Sequence, residues 1–333
     1  MIELPTIQGM LVADNSALED IQQCPYLYYI KNIRRRVNSS TSSGLNFGGA
    51  LHEALRVRYR RCNNNACDDE TQQLMIKELE NWFSIKPALV GDHRTLELAI
   101  AFVKMYNRVY KREPFLIIPV KGVMIVEKPF MFKLGTISDG RHVIFIGKMD
   151  LGVTDNSGIW VFDHKSTFAF GKGFEEDMQI TPQFRGYARA VKEICGVMPE
   201  GYIINAMRVR QPTDESFFTE DKGIRPDDFK RMQYPFSYRE LEEWEQNTME
   251  MFEELAHYEK RGVFPRHRKN CISRYGRCSM YDLCMMNIDQ RENWMMGNAF
   301  EDNTWSPLNI PERTSEGVTV STGISTKLST NNK

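Results

Sequence analysis

At 333 residues the chain is long enough to bury one large core or two modest ones. Its 41% hydrophobic and 26% charged residues are ordinary for a globular protein, and no apolar run reaches the length of a membrane span. A formal net charge of -1 excludes a uniformly basic nucleic-acid binder but leaves room for a local basic channel.

The first twenty residues lack a signal peptide's basic start and apolar centre, so a cytoplasmic protein is expected. In that compartment its seven cysteines point to thiols or metal ligands rather than disulfides. Asn15 or Ser16 is placed to cap a helix reaching about Lys31, with Cys24-Pro25 presenting a thiol at a kink. Residues 38–49 read as a Ser, Thr and Gly loop. Residues 50–61 read as an amphipathic helix with His52 in its first turns and arginines along its outer side. A polar loop holds Cys62 and Cys67, and residues 70–83 and 95–111 follow with helical period. From Phe115 the period changes. Residues 116–120 and 123–132 alternate as strands, the second interrupted by Glu127. Residues 143–153 and 159–164 form two more strands, joined by a tight turn at Asp155-Asn156-Ser157-Gly158. Residues 175–195 read as one helix carrying Gln183 and Tyr187, residues 202–209 as a strand, and residues 211–234 as polar irregular chain. Ser237, with Glu240 three residues on, caps a long charged helix over 238–260. This order predicts an α/β core within a helical surround: one domain over 1–302, core about 115–210, and a disordered Ser, Thr and Asn rich tail over 303–333.

The hairpin carries the chemistry. Alternate side chains of a strand share a face, so Asp163 and Lys165 point one way and His164 the other. Asp150, Asp163 and nearby Glu127 supply hard oxygen donors that suit Mg²⁺ or Mn²⁺. Such an ion activates a water toward a phosphate, and Lys165 would orient that water or stabilise developing charge. An aspartate and a lysine at this spacing are common by chance, and a solvated hairpin end is the plain alternative. The imidazole of His52 suits Mn²⁺, and Gly48-Gly49 beside it permits close backbone approach. Gln183 and Tyr187, four apart, share one helix face.

In order, these stretches are GGALHEAL (48–55), GKMD (147–150), DHK (163–165) and QFRGY (183–187). They resemble the motifs G-x-x-x-H-x-x-L, G-x-x-D, (D/E)-x-K and Q-x-x-x-Y of the RecB-like branch of the PD-(D/E)XK nucleases, and the resemblance spans roughly residues 24–284. It implies a PD-(D/E)XK restriction-endonuclease-like core sheet flanked by helices, and metal-dependent hydrolysis of DNA phosphodiesters. By the same resemblance the metal ligands fall on His52, Asp150, Asp163 and the main-chain carbonyl of His164, and the catalytic lysine on Lys165. Gln183 and Tyr187 would support the active site and the DNA strand near it. Glu127 stands where some members carry an additional acid.

Cys24, with Cys271, Cys278 and Cys284 in a C-x6-C-x5-C group, resembles the four-cysteine subset of these nucleases, such as AddB nuclease domains and CRISPR-associated spacer-processing nucleases. That resemblance implies a [4Fe–4S] cluster held by four thiolates. Family members commonly have two residues in the first gap where this chain has six, and four thiolates also suit zinc. Cys62 and Cys67 have no evident partner. A basic run from Lys260 to Arg277, the block Arg34–Arg36, and Arg56, Arg58, Arg60 and Arg61 could neutralise a phosphate backbone. Phe264, Tyr275 and Tyr281 interleave as stacking surfaces for unpaired bases. The expected protein is an exonuclease acting on single-stranded or end-containing DNA in recombination, repair or replication. Its alternatives are a catalytically idle DNA-end-binding scaffold of the same fold, or a zinc-binding interaction protein.

Overall fold

The structure, a computed structural model, describes residues 2–39, 43–62, 67–120, 122–273 and 276–303, with the backbone of 311–314 and 317–320. The elements that position the site are, in chain order, β1 (Met10–Ala13), α1 (Asn15–Gln23), α2 (Ser43–Arg61), α3 (Asp69–Ile85) and α4 (Leu96–Val109). They continue with β2 (Val126–Thr136), β3 (His142–Asp155), β4 (Gly158–Thr167), α5 (Lys172–Ile180) and α6 (Gln183–Cys195). Last come β5 (Gly201–Arg208), β6 (Phe229–Pro235) and α7 (Tyr238–Arg261).

β3 is the spine of a mixed sheet. β2 runs antiparallel along one side of it. On the other side, residues 143–145 pair in parallel with residues 11–13 of β1, and residues 151–155 pair with β4 across the hairpin turn. β5 lies parallel to β4, and β6 antiparallel to β5 at the edge. With Thr6–Ile7 and Leu116–Ile117 the sheet has eight strands among the described residues. Apolar residues cover both faces. Phe145, Val161, Phe184 and Trp244 join the sheet to α1, α6 and α7, and Leu51, Phe102, Leu151 and Phe162 join it to α2, α3 and α4. The predicted α/β fold class is the one observed: a central mixed sheet between helical layers.

Five local expectations change. α1 is capped by Asp14, whose side chain accepts from Ala17 N at 2.8 Å, rather than by Asn15 or Ser16. α2 begins at Ser43, so Gly48 and Gly49 lie inside a helix rather than in a loop. They are needed for packing: a Cβ on Gly49 would fall 2.7 Å from the Trp82 ring of α3, and one on Gly48 would fall 3.0 Å from Ser166 Oγ. The helix expected over 175–195 is two, α5 and α6, parted at Thr181-Pro182 where proline forbids a continuous ladder. Polar residues 229–235 form strand β6, because Phe229 and Met232 face inward while the residues between them are more exposed. Arg58 is 0% exposed rather than on the outer side of its helix, its charge met by Glu113 at 3.3 Å.

Pairing of β3 with β4 ends at Leu151 and Phe162. Beyond that point β4 runs on beside β5 as far as Thr167, while β3 turns to β1. The sheet therefore forks, and Asp150, Asp163, His164 and Lys165 stand at the mouth of the fork. Of the tail expected over 303–333, residues 304–310, 315–316 and 321–333 lie outside the described residues. Within it Pro311–Thr314 pairs with Gly317–Val320.

Candidate active site

The fork releases main-chain groups that a continued ladder would have used. The N–H and C=O of one strand residue point to the same side. The freed His164 N–H donates to Asp150 Oδ2 at 2.9 Å, and the freed His164 carbonyl accepts from His52 Nε2 at 3.0 Å. His52, 112 residues upstream on α2, is thereby brought to the hairpin. Its other nitrogen, Nδ1, lies 3.3 Å from Asp150 Oδ2 and 3.6 Å from Glu127 Oε1.

Glu127 is more central than sequence suggested. The register on either side, Val126 with Leu151 and Lys128 with Met149, sets it opposite Asp150 across the ladder. Both carboxylates are buried, and like charges facing one another across a ladder destabilise a sheet unless a cation joins them. Glu127 also has φ of 48°, the left-handed region, which costs about 1–3 kcal/mol for a residue with a side chain. Donor atoms of His52, Glu127 and Asp150 all lie within 4.8 Å of one another, the one such group among the described residues. An imidazole at the mouth of the site and two buried carboxylates, one on a strained backbone, fit a hard or borderline divalent ion. Lys148 Nζ pairs with Glu127 Oε2 on the outer side.

Asp163 stands outside that trio. It is 1% exposed, and its Oδ2 lies 2.8 Å from Lys165 Nζ. Lys165 also donates to Gln183 Oε1 at 2.9 Å, and Gln183 Nε2 to the Tyr187 hydroxyl at 2.9 Å. The Q-x-x-x-Y pair thus reaches the lysine as a single chain of hydrogen bonds from the first turns of α6. His164, on the opposite face from Asp163, stacks on Tyr59 at 5.5 Å and meets Asn205 behind the sheet.

Electrostatics separate the groups. Burial pushes Asp163 up to about 6, with Lys165 pulling against it and Asp150 adding to the rise. Burial also opposes ionisation of Asp150, yet His52, by charge and hydrogen bond, and then His164 and Lys165 hold it well below the usual carboxylate range. Burial opposes the charge of His52, but Asp150 and Glu127 keep its pKa well above the ordinary imidazole value. Burial likewise opposes the Lys165 ammonium, which Asp163, Asp150 and, from α1, Glu19 hold above the ordinary lysine value. His164, buried behind the strand, is pushed down to about 3 and stays neutral.

These directions fix a pH dependence for metal-free protein. A folded pKa above the unfolded one gives stability that is present at low pH and lost as pH rises. Asp163 loses its contribution between about 4 and about 6, and His52 loses its own above about 6.5. Asp150 acts oppositely below about 4, and His164, held down to about 3, acts oppositely between about 6.5 and about 3. His164 offsets part of the change between pH 5 and pH 8, so the expected result concerns the metal: Mg²⁺ or Mn²⁺, competing with protons on Asp163 and His52, should raise the melting temperature more at pH 8 than at pH 5. Equal metal stabilisation at both pH values, measured by calorimetry, would show that the metal does not compete with protons at this site.

Cys24, Cys271, Cys278 and Cys284 line one pocket at the far end of α1, with Tyr26, Leu27 and Arg266. Cys24 Sγ accepts from His267 N at 3.4 Å, and Cys278 N donates to Cys271 O at 2.9 Å. Cys62 and Cys67 are joined as a disulfide, Cα atoms 5.6 Å apart, so the thiol expectation does not hold for that pair. Much of the basic sequence is paired within the fold. Arg34 meets Glu292, Arg36 meets Asp302, Arg56 meets Glu53 and Glu78, and Arg61 meets Glu70. Phe264 is buried against Tyr29, its ring 5.2 Å away, and Arg277 lies over Tyr281. Arg274 and Tyr275 lie outside the described residues.

Sequence reasoning missed Lys148, Glu19 and Asn205. Lys148 was within reach of it, because a residue two before Asp150 on a strand shares its face. Asn205 also left a trace as the lone amide in an apolar strand.

A trio that could hold a cation, beside a lysine at the fork of an α/β sheet, has the donor set that metal-dependent phosphodiester hydrolysis requires. Residues 15–285 match the PD-(D/E)XK nuclease superfamily, and the chain belongs to it. Among solved structures it is similar to a protein from Eubacterium rectale described as a candidate exonuclease. The identity is 12% and the TM-score 0.44, covering 82% of this chain and 93% of that one. No curated protein matches it. No helix among the described residues is long and apolar enough to cross a membrane.

Proposed function

We propose that this nuclease is a deoxyribonuclease that removes nucleotides from DNA ends. The observation that carries the reading is the meeting of His52, Glu127 and Asp150 around one point, beside Lys165, in a chain of this superfamily. His52, Asp150 and the His164 carbonyl would hold Mg²⁺ or Mn²⁺, with Glu127 as a further acid and Asp163 as the ligand nearest the lysine. When bound, the ion supplies Lewis-acid polarisation of the scissile phosphate and a more acidic water. Lys165, steadied by Gln183 and Asp163, is placed to orient the attacking water and to meet charge that develops on the phosphoryl oxygens. Tyr187 keeps Gln183 from turning away.

The second half of the proposal is a [4Fe–4S] cluster on Cys24, Cys271, Cys278 and Cys284. Its support is that all four line one pocket although the first is 247 residues from the second. A tetrahedral zinc would draw four sulfurs to about 3.8 Å of one another. Metal analysis of the purified protein decides between the cluster and zinc.

Digestion of end-labelled blunt, tailed and closed circular DNA with Mg²⁺ and with Mn²⁺ tests the first half. Linear substrates should shorten from their ends while the circle survives. Cutting of the circle at a comparable rate would replace exonuclease by endonuclease. No cleavage of any substrate with either metal would favour the idle end-binding scaffold.

A further inference from the structure

Behind β4, on the side away from Lys165, lies a buried polar network that the nuclease chemistry does not use. Asn205 on β5 stands in register with His164 and is 0% exposed. Its Nδ2 lies 2.8 Å from His164 Nδ1 and 3.1 Å from the Tyr106 hydroxyl, while its Oδ1 accepts from Arg231 Nε at 3.2 Å. Arg231 in turn holds Glu113 through two bonds of 2.6 and 3.0 Å. Glu113 accepts from Tyr59 at 2.8 Å and faces buried Arg58 at 3.3 Å.

A guanidinium only donates, so the face of Asn205 toward Arg231 must be its oxygen. Its NH₂ then faces His164 Nδ1, which must be an acceptor. His164 is therefore neutral, with its proton on Nε2, and Arg231 dictates this from two residues away. The network also spans both halves of the metal site. Tyr59 and Arg58 lie on α2 about two turns beyond His52, and His164 supplies the carbonyl that His52 meets. A buried ion pair under a strand is a poor source of stability, because desolvation offsets its attraction. It is a good source of fixed geometry.

We propose that Asn205, held by Arg231 and Glu113, is a positioning residue of the nuclease centre: it fixes the tautomer of His164 and so steadies the main chain whose N–H and C=O face Asp150 and His52. The inference rests on the nuclease reading for its kinetic consequence only.

Asn205→Asp is the discriminating variant. It keeps size and the acceptor for Arg231, but its second oxygen can only accept, so His164 must carry a proton on Nδ1. In full-length ¹⁵N-histidine-labelled protein with Mg²⁺, His164 Nδ1 should read as an unprotonated acceptor in the wild type and as N–H in the variant. Turnover on linear DNA should fall about 10–100-fold, as for other groups that orient a metal ligand, with KM for DNA unchanged. An acceptor Nδ1 retained in the variant overturns the assignment of the tautomer. A reversed tautomer with wild-type turnover overturns the positioning role. Should Asn205→Asp not fold, Asn205→Ala removes the group that faces His164 Nδ1 and accepts from Arg231, and unchanged turnover there overturns the proposal as well. A wild-type protein that cleaves no DNA would refute the nuclease reading, and the nitrogen signals would still decide the tautomer.

Discussion

Asp163→Asn will lower DNA cleavage by about a thousandfold or more while leaving the metal-free fold at least as stable as the wild type. The two effects have one cause. Asp163 is buried, faces the charge of Asp150, and has its carboxyl pushed up to about 6. Removing that charge relieves the fold of a group it disfavours, and replaces the anionic partner of Lys165 by a neutral amide. Lys165→Ala will also lose cleavage but will behave differently on heating. It leaves Asp163 without its ammonium, and an unpaired buried charge costs about 3–5 kcal/mol unless the carboxyl takes a proton. The lysine variant should therefore melt below the wild type at pH 8 and recover at pH 5. Turnover within tenfold of wild type in either variant would remove that residue from the chemistry. Equal melting shifts of Lys165→Ala at the two pH values would mean that the pair is not buried as described.

If the proposed cluster is bound, Cys278→Ser will lose most of the iron and lower the melting temperature in the same preparation. A cluster joining Cys24 to Cys271 would close a loop whose chain entropy alone amounts to about 5 kcal/mol. The full amount is not expected, because other contacts close the same loop. Tyr26 N donates to Pro265 O at 3.1 Å, Asn270 Nδ2 to Gln23 O at 2.7 Å, and residues 36–38 pair with 300–302. A fall of several degrees with the sheet intact is the expected signature, read by iron analysis, absorbance near 400 nm and calorimetry of anaerobically purified protein. Full iron retention would mean a wrong ligand set, and zinc in place of iron would turn the site into a structural zinc centre.

Two kinds of information made the site legible from sequence. Period-two alternation placed Asp163 and Lys165 on one face and His164 on the other, and ordered motifs brought in His52, Asp150, Gln183 and Tyr187. What was not legible depended on packing between segments far apart in the chain. Gly48-Gly49 looked like a loop because nothing nearby in sequence announces that Trp82 will lie against it. Glu127 looked like an interruption in a strand, and its importance came from a left-handed φ and a cross-strand partner. Arg58, Glu113 and Arg231 come from three segments and carry no shared pattern, so their burial together could not be anticipated. Arg231 was further hidden because β6 alternates weakly and was read as irregular chain. The break at Thr181-Pro182, by contrast, was available from the proline alone.

The fork has an evolutionary corollary. Asp150 does two jobs there, since besides facing His52 it receives the N–H that the parted strand can no longer give to a neighbour. A descendant that abandoned catalysis by substituting Asp150 would inherit a stranded donor and would need a second change to accommodate it. One that substituted Asp163 would strand no main-chain donor, only the Lys165 ammonium, which Gln183 still receives. Inactive offshoots of this lineage should therefore have drifted first at position 163, with 150 kept long after the activity it once served was gone.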